Sequence, residues 1–191
     1  TTNKGLPEGP AITSFAVSGS NIFVGTNGNG VFLSTDKGKT WSSVNTGLTI
    51  GGANGITVTS LAASGSDVYV GTKHQGVFLS TDNGKNRTAV NTGLVTGSKN
   101  IEVTSLAIAN STVIAGTQHH GMFRSTDYGK TWVAANTGFK GIYINSLAFS
   151  GGKVFAGGYG IYSLDNSGEN WTSVNTGLPM SANFLHFFSS H

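Results

Sequence analysis

No cysteine occurs in the 191 residues. Disulfides and thiolate chemistry are therefore excluded, and packing and hydrogen bonding must hold the chain together. Charge is scarce too: Asp, Glu, Lys and Arg make up 10% of the sequence, against about 25% in an average globular domain. No apolar run approaches the roughly 20 residues of a membrane span. No secretory leader is visible at Thr1. The net charge of +3 comes from lysines scattered singly, three of them (Lys37, Lys85, Lys130) in one recurring loop. Such scatter does not make the basic stripe that nucleic acid requires. The uncharged, Thr/Asn/Gly-rich composition favours a secreted or periplasmic protein whose signal peptide is already absent.

What the chain has is glycine, at 29 residues about double the usual share of roughly 7%. With 37% hydrophobic residues, it has enough apolar matter for a core, and this balance predicts a turn-dense all-β protein rather than disorder. An octapeptide recurs as Ser34-Thr35-Asp36-Lys37-Gly38-Lys39-Thr40-Trp41, as Ser80–Arg87 and as Ser125–Trp132. A looser copy runs from Ser163 to Trp171. The repeat extends beyond the octapeptide. Ser14, Ser60, Ser105 and Ser146, each followed by Phe or Leu and then Ala, fall 46, 45 and 41 residues apart.

Each repeat holds four strand signals separated by turn signals. In the first they are Ile12–Val17, Asn21–Gly25, Val31–Ser34 and Thr40–Val44. Four short strands in about 40–45 residues predict a propeller blade. The fold expected is therefore an all-β propeller of four-stranded antiparallel blades. Four complete blades, at about 11–48, 57–94, 102–139 and 143–178, make a single domain over 1–191 with partial repeats at 1–10 and 183–191. The opening Asn3-Lys4-Gly5-Leu6 matches the repeat ends Asn45-Thr46-Gly47-Leu48 and Asn175-Thr176-Gly177-Leu178. The alanines of the first strands (Ala16, Ala62, Ala107, Ala148) suit a crowded position, and Phe15, Leu61, Leu106 and Leu147 are expected to pack between blades. Unclosed end blades predict self-association to complete a propeller.

In the octapeptide, the Asp carboxylate can accept hydrogen bonds from its own turn, Gly supplies a positive φ, and Trp covers the turn. The residues assigned this structural part are Ser34, Asp36, Gly38 and Trp41; Ser80, Asp82 and Gly84; Ser125, Asp127, Gly129 and Trp132; and Ser163, Asp165, Gly168 and Trp171. The pattern resembles the Asp-box, or bacterial neuraminidase repeat. It departs from that family at Arg87, where an aromatic residue is expected, and at Leu164 and Ser167. The resemblance implies the propeller fold. Its families range over sialidases, xyloglucan-active hydrolases, lectins, sorting receptors and a photosystem assembly factor. It also implies that ligands bind on the side opposite the boxes.

That opposite side carries the turns after each second strand. Asn27 and Asn29 stand in the first, Lys73, His74 and Gln75 in the second, Gln118, His119 and His120 in the third, and Tyr159 in the fourth. These donors and acceptors suit sugar hydroxyls or a polar protein surface. The links after each fourth strand, Thr49–Ile56, Val95–Ile101, Lys140–Tyr143 and Met180–Asn183, vary as well. His74 and His119 hold equivalent places, but no carboxylate shares their turns, so no metal and no cofactor is expected. No catalytic residue is assigned. A sialidase grips its substrate with three arginines, and only Arg87 and Arg124 exist. Outside the box aspartates the acids are Glu8, Asp67, Glu102 and Glu169, and no pair of them promises the 5–9.5 Å spacing of glycoside hydrolysis. The expected function is non-catalytic binding of a glycan or polysaccharide. The alternatives are a fragment of a larger Asp-box glycoside hydrolase and a protein–protein scaffold.

Overall fold

The structure is a computed structural model. It describes residues 3–48, 55–94, 101–109, 111–140, 143–165 and 168–178. The expected strand at 183–191 lies outside them. Among the described residues sixteen strands form four antiparallel sheets of four, each in chain order. Sheet one holds β1 (Ile12–Ser18), β2 (Asn21–Thr26), β3 (Gly30–Ser34) and β4 (Ser42–Ser43). Sheet two holds β5 (Val58–Ser64), β6 (Asp67–Thr72), β7 (Val77–Ser80) and β8 (Thr88–Ala89). Sheet three holds β9 (Val103–Ala109), β10 (Thr112–Thr117), β11 (Met122–Ser125) and β12 (Val133–Ala134). Sheet four holds β13 (Ser146–Ser150), β14 (Lys153–Gly157), β15 (Ile161–Leu164) and β16 (Trp171–Ser173). The outer strand is shorter than Thr40–Val44 predicts, because the Trp41 N–H leaves the ladder and donates to the Lys4 carbonyl at 2.9 Å.

The chain forms two compact units. Unit one is Thr1–Asn91 with Ser98–Val103, and unit two is Thr92–Gly97 with Thr104–His191. Within unit one, Ala16, Phe23 and Val31 of sheet one pack against Leu61, Val68, Val70 and Phe78 of sheet two. Within unit two, Ala107, Ile114 and Met122 pack against Leu147, Val154, Ala156, Tyr162 and Trp171. Leu61, Leu106 and Leu147 are buried as expected, but Phe15 is 63% exposed. The difference is positional: sheet one is the first in the chain, so no earlier sheet among the described residues covers its leading face. The approach of neighbouring sheets is close. A Cβ on Gly25 would stand 2.5 Å from Val58 Cγ1, and one on Gly116 2.5 Å from Ile144 Cγ2. Threonine hydroxyls bridge the same seam, Thr13 donating to the Val58 carbonyl at 2.6 Å and Thr104 to that of Ile144.

The octapeptide loops are closed by their own side chains. Ser34 Oγ donates to Asp36 Oδ1 at 2.8 Å and accepts from the Gly38 N–H at 2.8 Å. The Thr40 N–H and hydroxyl then donate to the two Asp36 oxygens at 2.9 and 2.7 Å. Asp82 and Asp127 repeat the pattern, with Asn86 in the threonine's place beside Asp82. The residue after each Asp is left-handed: φ is 60° at Lys37, 58° at Asn83 and 60° at Tyr128. A glycine at φ 82–84° follows each of them. Two successive positive φ values are the signature of a type I′ turn, for which Asn-Gly is the favoured pair. Asn83-Gly84 supplies it, whereas Lys37 and Tyr128 hold the strained conformation against their preference.

The repeat ends clamp one sheet to the next. Asn45 Oδ1 accepts from the Val31 N–H at 2.7 Å, anchoring the tetrapeptide to its own third strand. Thr46 and Gly47 then reach the following sheet: the Arg87 N–H donates to the Thr46 carbonyl at 3.1 Å. A Cβ on Gly47 would stand 1.9 Å from the Arg87 carbonyl. Within unit two the same latch joins Thr137 and Gly138 to Trp171. Lys4 and Gly5 latch Trp41, so the opening segment fills the seat that a preceding repeat end fills elsewhere.

Arg87 takes the seat of the missing aromatic side chain. Trp171 Nε1 donates to the Ala135 carbonyl at 2.8 Å. Arg87 Nη1 donates to the equivalent carbonyl, that of Val44, and to Gly84 O at 2.9 Å. Arg87 is 4% exposed, and its Nε and Nη2 find no hydrogen-bond partner among the described residues. Burial lowers its pKa to about 10, against the attraction of Asp82.

Arg87→Trp keeps the bond to Val44 and removes two stranded donors, and should raise unfolding stability by about 1–3 kcal/mol, measured by denaturant titration. The hydroxyl of Thr40, first among several donors, lowers Asp36 to about 2, and that of Thr131 does the same for Asp127. The Asn86 N–H holds Asp82 lower still. Folding therefore favours the ionised forms. Their contribution is complete above the ordinary carboxylate value of 3.8 and is lost as pH falls through about 2. Thermal melts should be level down to about pH 5 and fall between about pH 4 and 2; an unchanged melting temperature across that window contradicts the loop account.

Candidate functional site

Because the strands of each sheet alternate in direction, turns after the first and third strands share one end, and those after the second and fourth share the other. Hydrogen bonds confirm the division in unit one. At the octapeptide end, the Asn83 N–H donates to the Ser66 carbonyl at 2.9 Å, and Asn21 Nδ2 donates to Asn83 Oδ1 at 3.2 Å. At the far end, the Gly30 N–H donates to the Ile56 carbonyl at 3.0 Å and the Gly76 N–H to that of Ile101 at 3.1 Å. The turns after second strands are thus bridged to the links after fourth strands, which fixes their backbones and leaves side chains to vary.

The proposed ligand residues divide by what they already hold. Asn27 Oδ1 accepts from Thr57 Oγ1 at 2.9 Å, and the Asn29 and Gln75 carbonyls each accept from a repeat-end asparagine, Asn45 and Asn91, at 2.9 Å. Lys73 and His74 are exposed, and Gln75 is half-buried. Together with Gly55, Thr57 and Thr72 these three line a depression of about 190 Å³, its open mouth included. The room within it for a water-sized group is about 10 Å³, far below the roughly 300–1,000 Å³ of a cleft that encloses a small molecule, so the depression can seat a group but not a whole ligand. His74 belongs to unit one and His119 to unit two.

In unit two the far end is aromatic. The His119 and Tyr143 rings meet edge to face, centroids 5.5 Å apart at 74°. Tyr143 meets Tyr159 in the same way, at 6.1 Å and 70°. Tyr159 is 66% exposed and Tyr143 36%. Gly158 permits this: a Cβ there would stand 2.5 Å from the Tyr143 carbonyl. Gln118 and His120 flank the string, half-buried and exposed in turn, and the His120 N–H donates to Thr117 Oγ1 at 3.1 Å. Three rings stepping along a surface offer faces for an apolar ligand patch, with phenol and imidazole groups beside them for hydroxyls. Tyr143 was not among the candidates from sequence. It ends the variable link Lys140–Tyr143, and an aromatic residue on the ligand end was the available signal.

The octapeptide carboxylates are held within their own loops. Asp36, Asp82, Asp127 and Asp165 bind donors of their own loops. Glu169 faces Arg124 at 3.8 Å at the octapeptide end. Among the described residues no three His, Cys, Asp or Glu side chains gather as a metal site. No helix there is long and apolar enough to cross a membrane.

No family model matches the chain, and no curated protein matches it. Solved structures do. The computationally designed Ika4 protein is similar at TM-score 0.59 and 16% identity, over 82% of this chain and 91% of that one. YCF48 bound to D1 peptide is similar at TM-score 0.66 and 18% identity, over 90% of this chain and 57% of that one. The GH74 enzyme of Niastella koreensis is similar at TM-score 0.68 and 18% identity, over 91% of this chain and 31% of that one. The chain therefore spans about a third of the GH74 enzyme and just over half of YCF48. Identity this low carries the fold alone, and that fold is the β-propeller, with the four sheets as its blades.

Proposed function

We propose that this chain is an Asp-box propeller of the secreted or periplasmic kind that binds carbohydrate without catalysis, through the end of its blades away from the octapeptide loops. The aromatic string of His119, Tyr143 and Tyr159 carries the proposal. Aromatic faces stack on the C–H face of a sugar ring, and the amide and imidazole groups around them match ring hydroxyls. Lys73, His74 and Gln75 offer a second, smaller contact of the same polar character. Several weak contacts on one chain gain strength against a polymeric glycan through avidity. The employment of the loop aspartates as staples supports the absence of catalysis. The GH74 likeness favours a second reading, a segment of a larger glycoside hydrolase whose acids lie elsewhere. YCF48, solved with a peptide, favours a protein scaffold in the same limited way.

A glycan array at high protein density is the first test, followed by titration with the best oligosaccharide. Tyr143→Ala and Tyr159→Ala should each weaken binding roughly tenfold, the equivalent of about 1.4 kcal/mol for a lost aromatic contact. Binding of the double variant at wild-type strength rejects the site. Silence across the whole array rejects the carbohydrate reading, and release of reducing ends from xyloglucan replaces it with the hydrolase one.

A further inference from the structure

Among the described residues nothing covers the apolar leading face of sheet one. Ile12, Phe15 and Val17 on it are 37%, 63% and 52% exposed. Their register equivalents in sheet two, Val58 and Leu61, are 0% and 8% exposed, and Ala63 packs against the same cluster. In sheet four the equivalents Ile144 and Leu147 are 0% and 9% exposed. Within each unit the covering surface is the trailing face of the preceding sheet. Phe23 and Val31 supply it for sheet two, and Ile114 and Met122 for sheet four.

Sheet four bears a trailing face of the same composition, and it too is under-covered. Phe155 and Ile161 stand where Phe23 and Val31 stand in sheet one, but are half-buried rather than fully buried. Val174 is 40% exposed and Leu178 37%, whereas Leu48, the equivalent of Leu178, is 8% exposed. The polar parts of the seam are duplicated as well. Asn145 holds the place from which Thr13 and Thr104 donate across the seam, and Ile12 the place whose carbonyl accepts in Val58 and Ile144. Gly177 keeps the latch conformation, φ 85°, yet nothing lies within 4 Å of where its Cβ would be.

We propose that the trailing face of sheet four of one copy docks on the leading face of sheet one of a second copy, and so extends the blade-to-blade seam that recurs within each unit. The occupant is this chain itself, because the two exposed faces are the two halves of an interface the chain already builds internally. The contact is heterologous, with a different face used on each partner. At its edge the incoming Asn175–Leu178 latch meets the resident Asn3–Leu6 latch on Trp41 and displaces it. The inference rests on the fold and is independent of carbohydrate binding.

Sedimentation of the full chain over a wide concentration range tests this. The native chain should assemble, while Phe15→Glu and Val174→Glu should each be folded monomers, since both side chains point to solvent in the single chain. An equimolar mixture of the two variants keeps one intact pair of faces and should give dimers and nothing larger. Gly5→Ala, which unseats the resident latch, should tighten native assembly. A native chain that stays monomeric throughout overturns the proposal, as does either charged variant assembling like the native chain. A mixture that remains monomeric rejects the head-to-tail geometry, and an unchanged Gly5→Ala rejects the competition for Trp41.

Discussion

The Trp171 N–H donates to the Thr137 carbonyl at 2.8 Å, and a Cβ on Gly138 would stand 2.1 Å from the Trp171 carbonyl. Everything else in the structure is arranged around contacts of this kind. Isolated four-stranded sheets with two apolar faces would aggregate, and what makes each one a component is a fixed partner on a fixed side. The latch supplies that direction. Its asparagine belongs to one sheet and its glycine carries the chain against the next. A single tetrapeptide thus sets both the spacing and the order of stacking, and side chains such as Leu61 and Leu147 fill the seam it defines.

The octapeptide loops do complementary work at shorter range. Each aspartate converts a left-handed turn into a closed hydrogen-bonded unit, which presents the residue at its end to the incoming latch. Arg87 shows how far the side chain can vary while the backbone contact is kept. A guanidinium reaches the carbonyl of Val44, as an indole reaches that of Ala135, though it buries two donors without partners in doing so. With one end of every blade committed to staples, the other end is free to differ from blade to blade. There the chain places Asn27, His74, His119 and Tyr159 in equivalent turns.

Much of this was legible in the sequence. The spacing of the serines and the octapeptides located all four sheets, and Ile12–Val17 was expected where β1 runs Ile12–Ser18. What escaped was whatever depends on a neighbour in space. Phe15 has the same local pattern as Leu61, so its exposure is invisible without knowing that no described residue covers the leading face of sheet one. The left-handed Tyr128 hides in the variable position of a repeat, although Asn83-Gly84 in the same position is a type I′ signal. Asn3–Leu6 was recognisable as a repeat end, but not as the occupant of the Trp41 seat. Tyr143 and Tyr159 stand 16 residues apart in sequence, and only the close approach at Gly158 brings their rings together.

One comparison isolates the latch from every other property of its glycine. Gly47 and Gly177 share the motif and the same φ of 85°, yet a Cβ at Gly47 would meet the Arg87 carbonyl at 1.9 Å and one at Gly177 would meet nothing within 4 Å. The left-handed backbone penalises alanine equally at both, by about 1–2 kcal/mol. Unfolding free energies of Gly47→Ala and Gly177→Ala, measured at dilution where single chains dominate, should therefore differ by about 2 kcal/mol or more, with Gly47→Ala the less stable. Equal losses from the two substitutions would contradict the latch as the contact on which blade stacking depends.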